Sequence, residues 1–212
     1  DFYLPGEEMD IAVNGNPWNV PRGFPGSHSL DLLHQSLDTF LNTGVLNTPT
    51  FDKSLRDGKG DRSGWCEFNP KVLILEGWFV GCYPVSDLFK INDMDENKYN
   101  LSLSESEKDY RTLIQVSLLE YSKIWKKLDK IWHLKSSNFD NTILWKSQQE
   151  NEMVKLKGAG LKGSNLSDFI RMIQTAIPQQ SLSFINSDTI VEINQNRRIE
   201  KLKTNKYNFK LH

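Results

Sequence analysis

The stretch Lys71-Val72-Leu73-Ile74-Leu75-Glu76-Gly77-Trp78 decides the fold class of this chain. A short aliphatic run that ends in an acid and a glycine is typical of a strand buried on both faces of a parallel sheet. Two further aliphatic runs, at 130–135 and 188–194, predict strands of the same kind. Because helical patterns alternate with these runs, we predict an α/β fold with a mostly parallel sheet flanked by helices.

Three segments carry apolar residues at the three- or four-residue spacing of amphipathic helices, and a fourth is charged but helical in composition. These helices are predicted at 28–41, 114–128, 166–177 and, for the charged segment, 139–157. Loops are predicted where Gly, Pro, Asn or charge dominates, at 1–27, 47–70 and 84–108. No internal repeat or long linker divides the chain, so we predict a single domain over residues 1–212.

Composition and charge narrow the classes of function. The chain has 212 residues, a net charge of −1 and 38% hydrophobic residues. Without a broad positive field, we expect no nucleic-acid partner, and without an apolar run of roughly 20 residues, no membrane span. The two cysteines form no CxxC pair, which argues against a disulfide framework or a zinc site. We therefore expect a cytoplasmic protein.

Glu76 is the strongest candidate that the residues alone provide. In open parallel sheets, ligands bind beyond the carboxyl ends of the strands, where Glu76 and Gly77 are predicted to lie. A strand-end carboxylate there could help to hold Mg²⁺ near nucleotide phosphates. The alternative is a strand-end glutamate that simply reaches solvent.

The segment Arg22-Gly23-Phe24-Pro25-Gly26-Ser27-His28 joins a rigid turn to the start of a helix. Ser27 or His28 could lie at the helix N-terminus, where free backbone amides attract anions. Arg22 could bind a carboxylate or phosphate with two parallel hydrogen bonds. On local sequence alone, a capped turn with an exposed arginine is the favoured alternative.

Two further segments invite a functional interpretation. The loop at 51–62 gathers charged residues that could position an anionic substrate, although a solvated charged loop is commoner; these residues are Asp52, Lys53, Arg56, Lys59, Asp61 and Arg62.

The GAGLKG segment at 158–163 has the GxGxxG spacing of a dinucleotide fingerprint. It follows a polar helical stretch instead of a buried strand, so we interpret it as a hinge or mobile flap.

Together, these segments resemble the plant-type D-glycerate 3-kinases, P-loop kinases related to uridine kinase, phosphoribulokinase and bacterial pantothenate kinase. The combination of the RG-PG-SH, GDR and EGW elements is fairly specific. The matching motifs follow one another along nearly the whole chain: DFYLP at 1–5, RGFPGSH at 22–28, FDKS at 51–54, GKGDR at 58–62, VLILEGWFVG at 72–81, LLEYSKIWKKLD at 118–129, WKSQQE at 145–150, GAGLKG at 158–163 and IVEINQNRRI at 190–199.

The resemblance implies ATP and Mg²⁺ as cofactors and transfer of the γ-phosphoryl group to the hydroxyl of a small acid. Glu76 matches the strand-end acid near Mg²⁺, and Asp1 matches the second acid of a family pair. On the acceptor side the matching residues are Arg22, His28, Asp52, Lys53 and, within GKGDR, Arg62. Gly77 and Lys146 match the nucleotide side, with a lid at 139–178. Lys146 stands where the family usually has arginine, so it keeps the charge and loses the two-pronged geometry.

Two expected elements are missing from these 212 residues. The family's GxxxxGK[ST] phosphate loop occurs nowhere in the sequence, and its catalytic base would lie immediately before Asp1. We therefore expect a partial reading frame or a truncated protein that lacks a βα unit of roughly 30–45 residues. Such a fragment would be inactive alone, and association between copies could cover its unpaired strand edges.

Two alternatives to a D-glycerate 3-kinase stay open from the sequence. The first is a related kinase for another small acceptor, such as a nucleoside or a pantothenate-like acid. The second is a non-catalytic ATPase-like module that binds partners.

Overall fold

A computed structural model describes residues 1–136, 138–158 and 160–204. The helices are α1 Gly6–Ala12, α2 Leu30–Thr43, α3 Leu88–Tyr99, α4 Glu105–Trp125, α5 Phe139–Lys157, α6 Gly163–Thr175 and α7 Gln179–Ser183. The strands are β1 Leu46–Asp52, β2 Asp61–Phe68, β3 Trp132–Ser136, β4 Thr189–Ile193 and β5 Ile199–Thr204.

Helix α4 runs through the hydrophobic core. Its Ile114, Leu118 and Ile124 side chains have no solvent exposure, as the predicted apolar spacing requires. The helix begins with a capping box, in which Ser104 and Glu107 each satisfy the other's backbone amide. The predicted helices are confirmed as α2, α4, α5 and α6. The bounds of α5 match the prediction, those of α2 and α6 differ by two or three residues, and α4 begins well before the predicted start at 114.

The strands confirm an α/β fold but only part of the predicted sheet. Strand β4 pairs in parallel with β3 and antiparallel with β5. Strands β1 and β2 form a separate antiparallel hairpin, in the segment 47–70 that was predicted as a loop. Pro49 and the glycines hid this hairpin, because proline is unusual inside a sheet. A two-stranded sheet consists only of edge strands, so Pro49 is tolerated there.

The segment 71–76, predicted as a buried strand, lies in no strand of the described structure. Its side chains nevertheless alternate between the core and solvent as in a strand, since Leu73 and Leu75 pack against the core. Val72 and Ile74 face away and are 74% and 84% exposed. An aliphatic run reports which faces can be buried, but a strand also needs a neighbour to accept its backbone hydrogen bonds.

The prediction of loops was also wrong at 84–108 and in part at 1–27. Helix α3 and the start of α4 lie in the first segment, and the short helix α1 lies in the second. Helix α3 buries Asn92 and Asp95 beside Ile91, so polar residues occupy positions where the pattern requires apolar ones. Among the described residues, no helix is both long and apolar enough to cross a membrane.

Candidate functional site

The RGFPGSH loop is fixed by the EGW segment. The indole N–H of Trp78 donates to the carbonyl oxygen of Gly23 over 2.6 Å. Gly23 has a φ of +108°, and a Cβ there would lie 3.1 Å from the Phe169 ring of α6. Inside the loop, Ser27 Oγ donates to the carbonyl of Phe24. Two motifs that are about fifty residues apart in sequence thus form one unit.

Ser27 and His28 do not lie at a helix N-terminus, contrary to one interpretation of the sequence. Helix α2 begins at Leu30, and Ser29 occupies the N-cap position without a side-chain capping bond. Ser27 is fully buried within the turn. The backbone of Tyr3 pairs with that of His28 in an isolated β-bridge, so the chain is extended at His28 and the helix begins after it, at Leu30.

Arg22 is buried and organises the charged loop. Its Nη1 donates to the carbonyl oxygens of Gly58 and Lys59 over 2.8 and 2.5 Å. Its guanidinium lies 5.8 Å from the centre of the Phe51 ring. Burial lowers the pKa of Arg22. The alternative of an exposed arginine is therefore wrong.

Tyr3 connects two predicted site residues, His28 and Arg62. The Tyr3 ring stacks on His28 at 4.4 Å between ring centres, and its carbonyl accepts from Arg62 Nη2. His28 Nδ1 lies 2.8 Å from the hydroxyl of Tyr121. Burial lowers the pKa of His28 to about 3, so the imidazole is neutral at physiological pH. Any role of His28 in binding an anion would therefore rest on a neutral hydrogen bond.

Asp52 and Lys53 occupy the turn after β1. The Asp52 carboxylate accepts hydrogen bonds from the backbone amide and hydroxyl of Ser54, which shapes the turn. Lys53 is exposed, yet partial burial and the charges of Arg22 and Lys146 lower its pKa. Arg22 and Lys146 are therefore close enough to Lys53 for charge repulsion to disfavour its protonated form.

Asp1 and Glu76 line the same cleft, although they are far apart in the sequence. The cleft has a volume of about 340 Å³, and its other lining residues come mainly from α2, β1 and the 73–75 segment. The negative charge of Glu76 raises the pKa of Lys53 and so opposes the lowering caused by burial. Glu76 therefore lies within electrostatic range of Lys53. His28 lines a different cleft, of about 430 Å³, together with Tyr121. No group of three or more potential metal ligands occurs among the described residues.

On α5, Lys146 is paired with Glu150. The two side chains are 2.5 Å apart between Nζ and Oε1, and both are largely buried. Lys146 Nζ also lies 4.5 Å from the centre of the Phe169 ring on α6. The predicted lid at 139–178 contains this pair; Ala159, within its GAGLKG segment, lies outside the described residues.

Two site residues were missed by the sequence analysis. Tyr3 lies within the DFYLP motif, but nothing in its local pattern indicated the contacts with His28 and Arg62. Glu150 follows Lys146 by four residues on a predicted helix, and that spacing brings opposite charges together. The signal for Glu150 was therefore present in the sequence.

Comparisons with known proteins agree with this architecture. No protein-family model matches the chain. The chain is 29% identical to a Schizosaccharomyces pombe protein named uncharacterized kinase mug58, over 84% of this chain and 66% of that protein. It is 26% identical to the probable ATP-dependent kinase TDA10 of Saccharomyces cerevisiae, over 96% of this chain and 74% of that protein. It thus spans about two thirds to three quarters of the length of these relatives.

Two solved structures share the fold. A D-glycerate 3-kinase from Cryptococcus neoformans superposes with a TM-score of 0.77 at 24% identity, over 96% of this chain and 77% of that one. The structure of the YGR205w protein superposes with a TM-score of 0.71 at 25% identity, over 96% and 74%. These likenesses confirm the α/β fold, and the kinase names of the two sequence relatives agree with the resemblance noted in the sequence.

Proposed function

We propose that this chain forms most of an ATP-dependent kinase that transfers the γ-phosphoryl group to a hydroxyl of a small anionic acid, with D-glycerate as the acceptor. The observation that carries the proposal is the shared cleft of Asp1 and Glu76, with Lys53 within electrostatic range of Glu76. Acids beside cations suit a reaction in which charged groups must be positioned and neutralised. The kinase names of the relatives support the same class of reaction.

Two residues of this otherwise mostly apolar cleft, Asp1 and Glu76, carry carboxylates of the kind that hold a magnesium ion. Mg²⁺ is usually held by one or two carboxylates together with substrate phosphates and water, and not by a complete protein cage. Asp1 and Glu76 would supply these carboxylates. When bound, the ion would neutralise negative charge on the phosphates. Gly77, which has no side chain, would let the nucleotide approach beside Glu76.

The remaining candidates would bind and orient the acceptor. Lys53 would pair with its carboxylate, and Arg22 would hold the 58–60 backbone in the position that keeps this lysine in place. Asp52 would fix the turn that carries Lys53, while Arg62 and His28 would hold the Tyr3 segment next to Asp1. Lys146, on α5, would offer its charge to a phosphate. Catalysis would come mainly from positioning and charge stabilisation.

The experiment measures phosphoryl transfer from ATP with the protein encoded by the full reading frame that contains residues 1–212. D-Glycerate, a nucleoside and pantothenate are compared as acceptors. We expect transfer to D-glycerate to dominate, and Glu76→Gln to lower kcat at least about 100-fold, as removal of one charge-stabilising group does elsewhere. The matched control is Glu67→Gln, an exposed acid on β2.

Three outcomes separate the possibilities. Preferred transfer to a nucleoside or pantothenate would identify a kinase for another acceptor. Unchanged turnover in Glu76→Gln would exclude the role proposed for Glu76. ATP binding without transfer to any of these acceptors would favour a non-catalytic binding module. The proposed cytoplasmic location is tested separately, by fractionating cells and measuring how much of the protein is in the cytosolic fraction.

A further inference from the structure

Helix α5 carries a buried carboxylate whose two oxygens are both engaged. Glu150 is 3% exposed. Its Oε1 lies 2.5 Å from Lys146 Nζ, and its Oε2 accepts the backbone N–H of Leu161 over 2.8 Å. One oxygen thus neutralises a cation of the candidate site, and the other holds the chain that follows the helix.

The Gly160–Lys162 segment is held against α5 by this contact. A Cβ at Gly160 would lie 2.9 Å from Val154 Cγ2, 3.0 Å from the Glu150 carbonyl oxygen and 3.3 Å from Glu150 Oε2, so a side chain at this position would crowd α5. Helix α6 begins directly after the segment, and its Phe169 ring lies beside Lys146. Lys146 therefore lies between Glu150 on its own helix and the aromatic face of α6.

Glu150 supplies negative charge to more than one cation of the site. Burial lowers the pKa of both Arg22 and Lys53, and the charge of Glu150 opposes that lowering in each case. With Lys146, three cations share the influence of one buried carboxylate. The carboxylate or phosphate of a ligand at this point would present the same chemistry to Lys146 as Glu150 does.

We propose that Glu150 is a specificity-determining residue that exchanges places with an anionic group of a bound substrate at Lys146, an inference that rests on the function proposed above. In the free protein Glu150 neutralises Lys146. An entering carboxylate or phosphate takes over Lys146, and Glu150, which would then be a buried and unpaired charge, turns towards solvent and releases the Leu161 amide. A neutral ligand offers Lys146 no replacement charge, so the exchange selects against it.

The first test measures hydrogen exchange at the Leu161 amide in the wild-type protein, without ATP. Probes are D-glycerate, inorganic phosphate and, as the neutral control, glycerol. We expect both anions, at concentrations that calorimetry shows to be saturating, to accelerate exchange of this amide, and glycerol to leave it unchanged. Unchanged exchange with both anions bound, or failure of both to bind, would overturn the proposal.

The second test measures anion affinity by calorimetry in Glu150→Gln, which preserves the shape of the side chain and removes the competing charge. We expect the variant to bind the anions at least about 5-fold more tightly, the lower end of ordinary coupling between sites. Glu152→Gln, an exposed acid two residues further along α5, is the matched control and should bind like the wild type. Equal or weaker binding in Glu150→Gln would contradict competition.

These outcomes are distinguishable from failure of the proposed function. If no phosphoryl transfer is found but phosphate accelerates exchange at Leu161, the kinase assignment fails and the anion exchange stands. If D-glycerate is phosphorylated while the Leu161 amide is unaffected by saturating anion, the exchange fails alone.

Discussion

At the scale of single residues, Gly60 shows how the charged loop depends on the absence of a side chain. Its φ is +82°, and a Cβ would lie 2.4 Å from the Phe51 ring and 3.3 Å from Arg22 Nη1. Gly58, in the same loop, has a φ of +87° with nothing within 4 Å of its Cβ position. Substitution of Gly58 would therefore introduce only backbone strain, whereas substitution of Gly60 would introduce backbone strain and a steric clash.

We predict that Gly60→Ala destabilises the protein more than Gly58→Ala. Gly58→Ala should cost about 1–2 kcal/mol from the left-handed backbone conformation alone. Gly60→Ala should add the cost of displacing Phe51 and Arg22, about 1–3 kcal/mol further. Urea unfolding measures the free energy of unfolding of both variants. Equal losses of stability would show that Phe51 and Arg22 move aside at no cost and would contradict the prediction.

At the scale of elements, Glu107 joins three parts of the fold. Its carboxylate accepts hydrogen bonds from Trp18 of the N-terminal loop, from Arg171 and Thr175 of α6, and from the Ser104 amide at the start of α4. Burial opposes ionisation, but these bonds outweigh it and hold the pKa of Glu107 at about 2, below its usual value of 4.5. Packing of α4 against α6 thus includes a charged network within the core.

This shift predicts how stability depends on pH. A carboxyl whose pKa is lowered by folding stabilises the protein above its unfolded pKa, and the contribution is lost as pH falls through the folded pKa. Glu107→Gln should therefore cost about 1.5–3 kcal/mol at pH 7, with a deficit that shrinks between pH 4.5 and 2.

The control for Glu107 is Glu105→Gln, in the same helical turn. Glu105 is 86% exposed and pairs with Lys108, so its loss should change stability little at any pH. Denaturant unfolding across the acid range compares the variants. A deficit for Glu107→Gln that did not shrink towards pH 2 would contradict the depressed pKa.

At the scale of the whole molecule, two apolar edges stand out. Within the described part of the chain, strand β3 pairs only with β4, and its Trp132 and Leu134 are each 64% exposed. The 71–76 segment exposes Val72 and Ile74 and lies in no strand of the described chain. Unpaired, apolar strand edges promote association.

We predict that a protein consisting of residues 1–212 associates as its concentration rises. Ile74→Lys combined with Leu134→Lys should shift sedimentation towards the monomer, because both edges would then carry charge. Leu156→Lys, at an 84% exposed position of α5 that belongs to neither edge, is the control. A monomer at every concentration would show that the edges do not associate.

The sequence by itself determined the fold class, the main helices and the family resemblance. Helical periodicity and aliphatic runs report burial within one segment, and these are local properties. It also provided Glu76, Lys53 and Arg22 as candidate site residues, because strand ends, glycine turns and charges are visible in a linear pattern. Even the Lys146–Glu150 pair could be found, since one helical turn separates the two residues.

Only the tertiary structure decided how the segments meet. The 71–76 run could not disclose whether a neighbouring strand accepts its hydrogen bonds, and Pro49 concealed the β1–β2 hairpin, because pairing depends on distant residues. Three contacts join a side chain to a remote backbone: Arg22 to the carbonyls of Gly58 and Lys59, Trp78 to that of Gly23, and Glu150 to the amide of Leu161. Backbone groups are alike in every residue, so no sequence pattern marks which of them a side chain will bind.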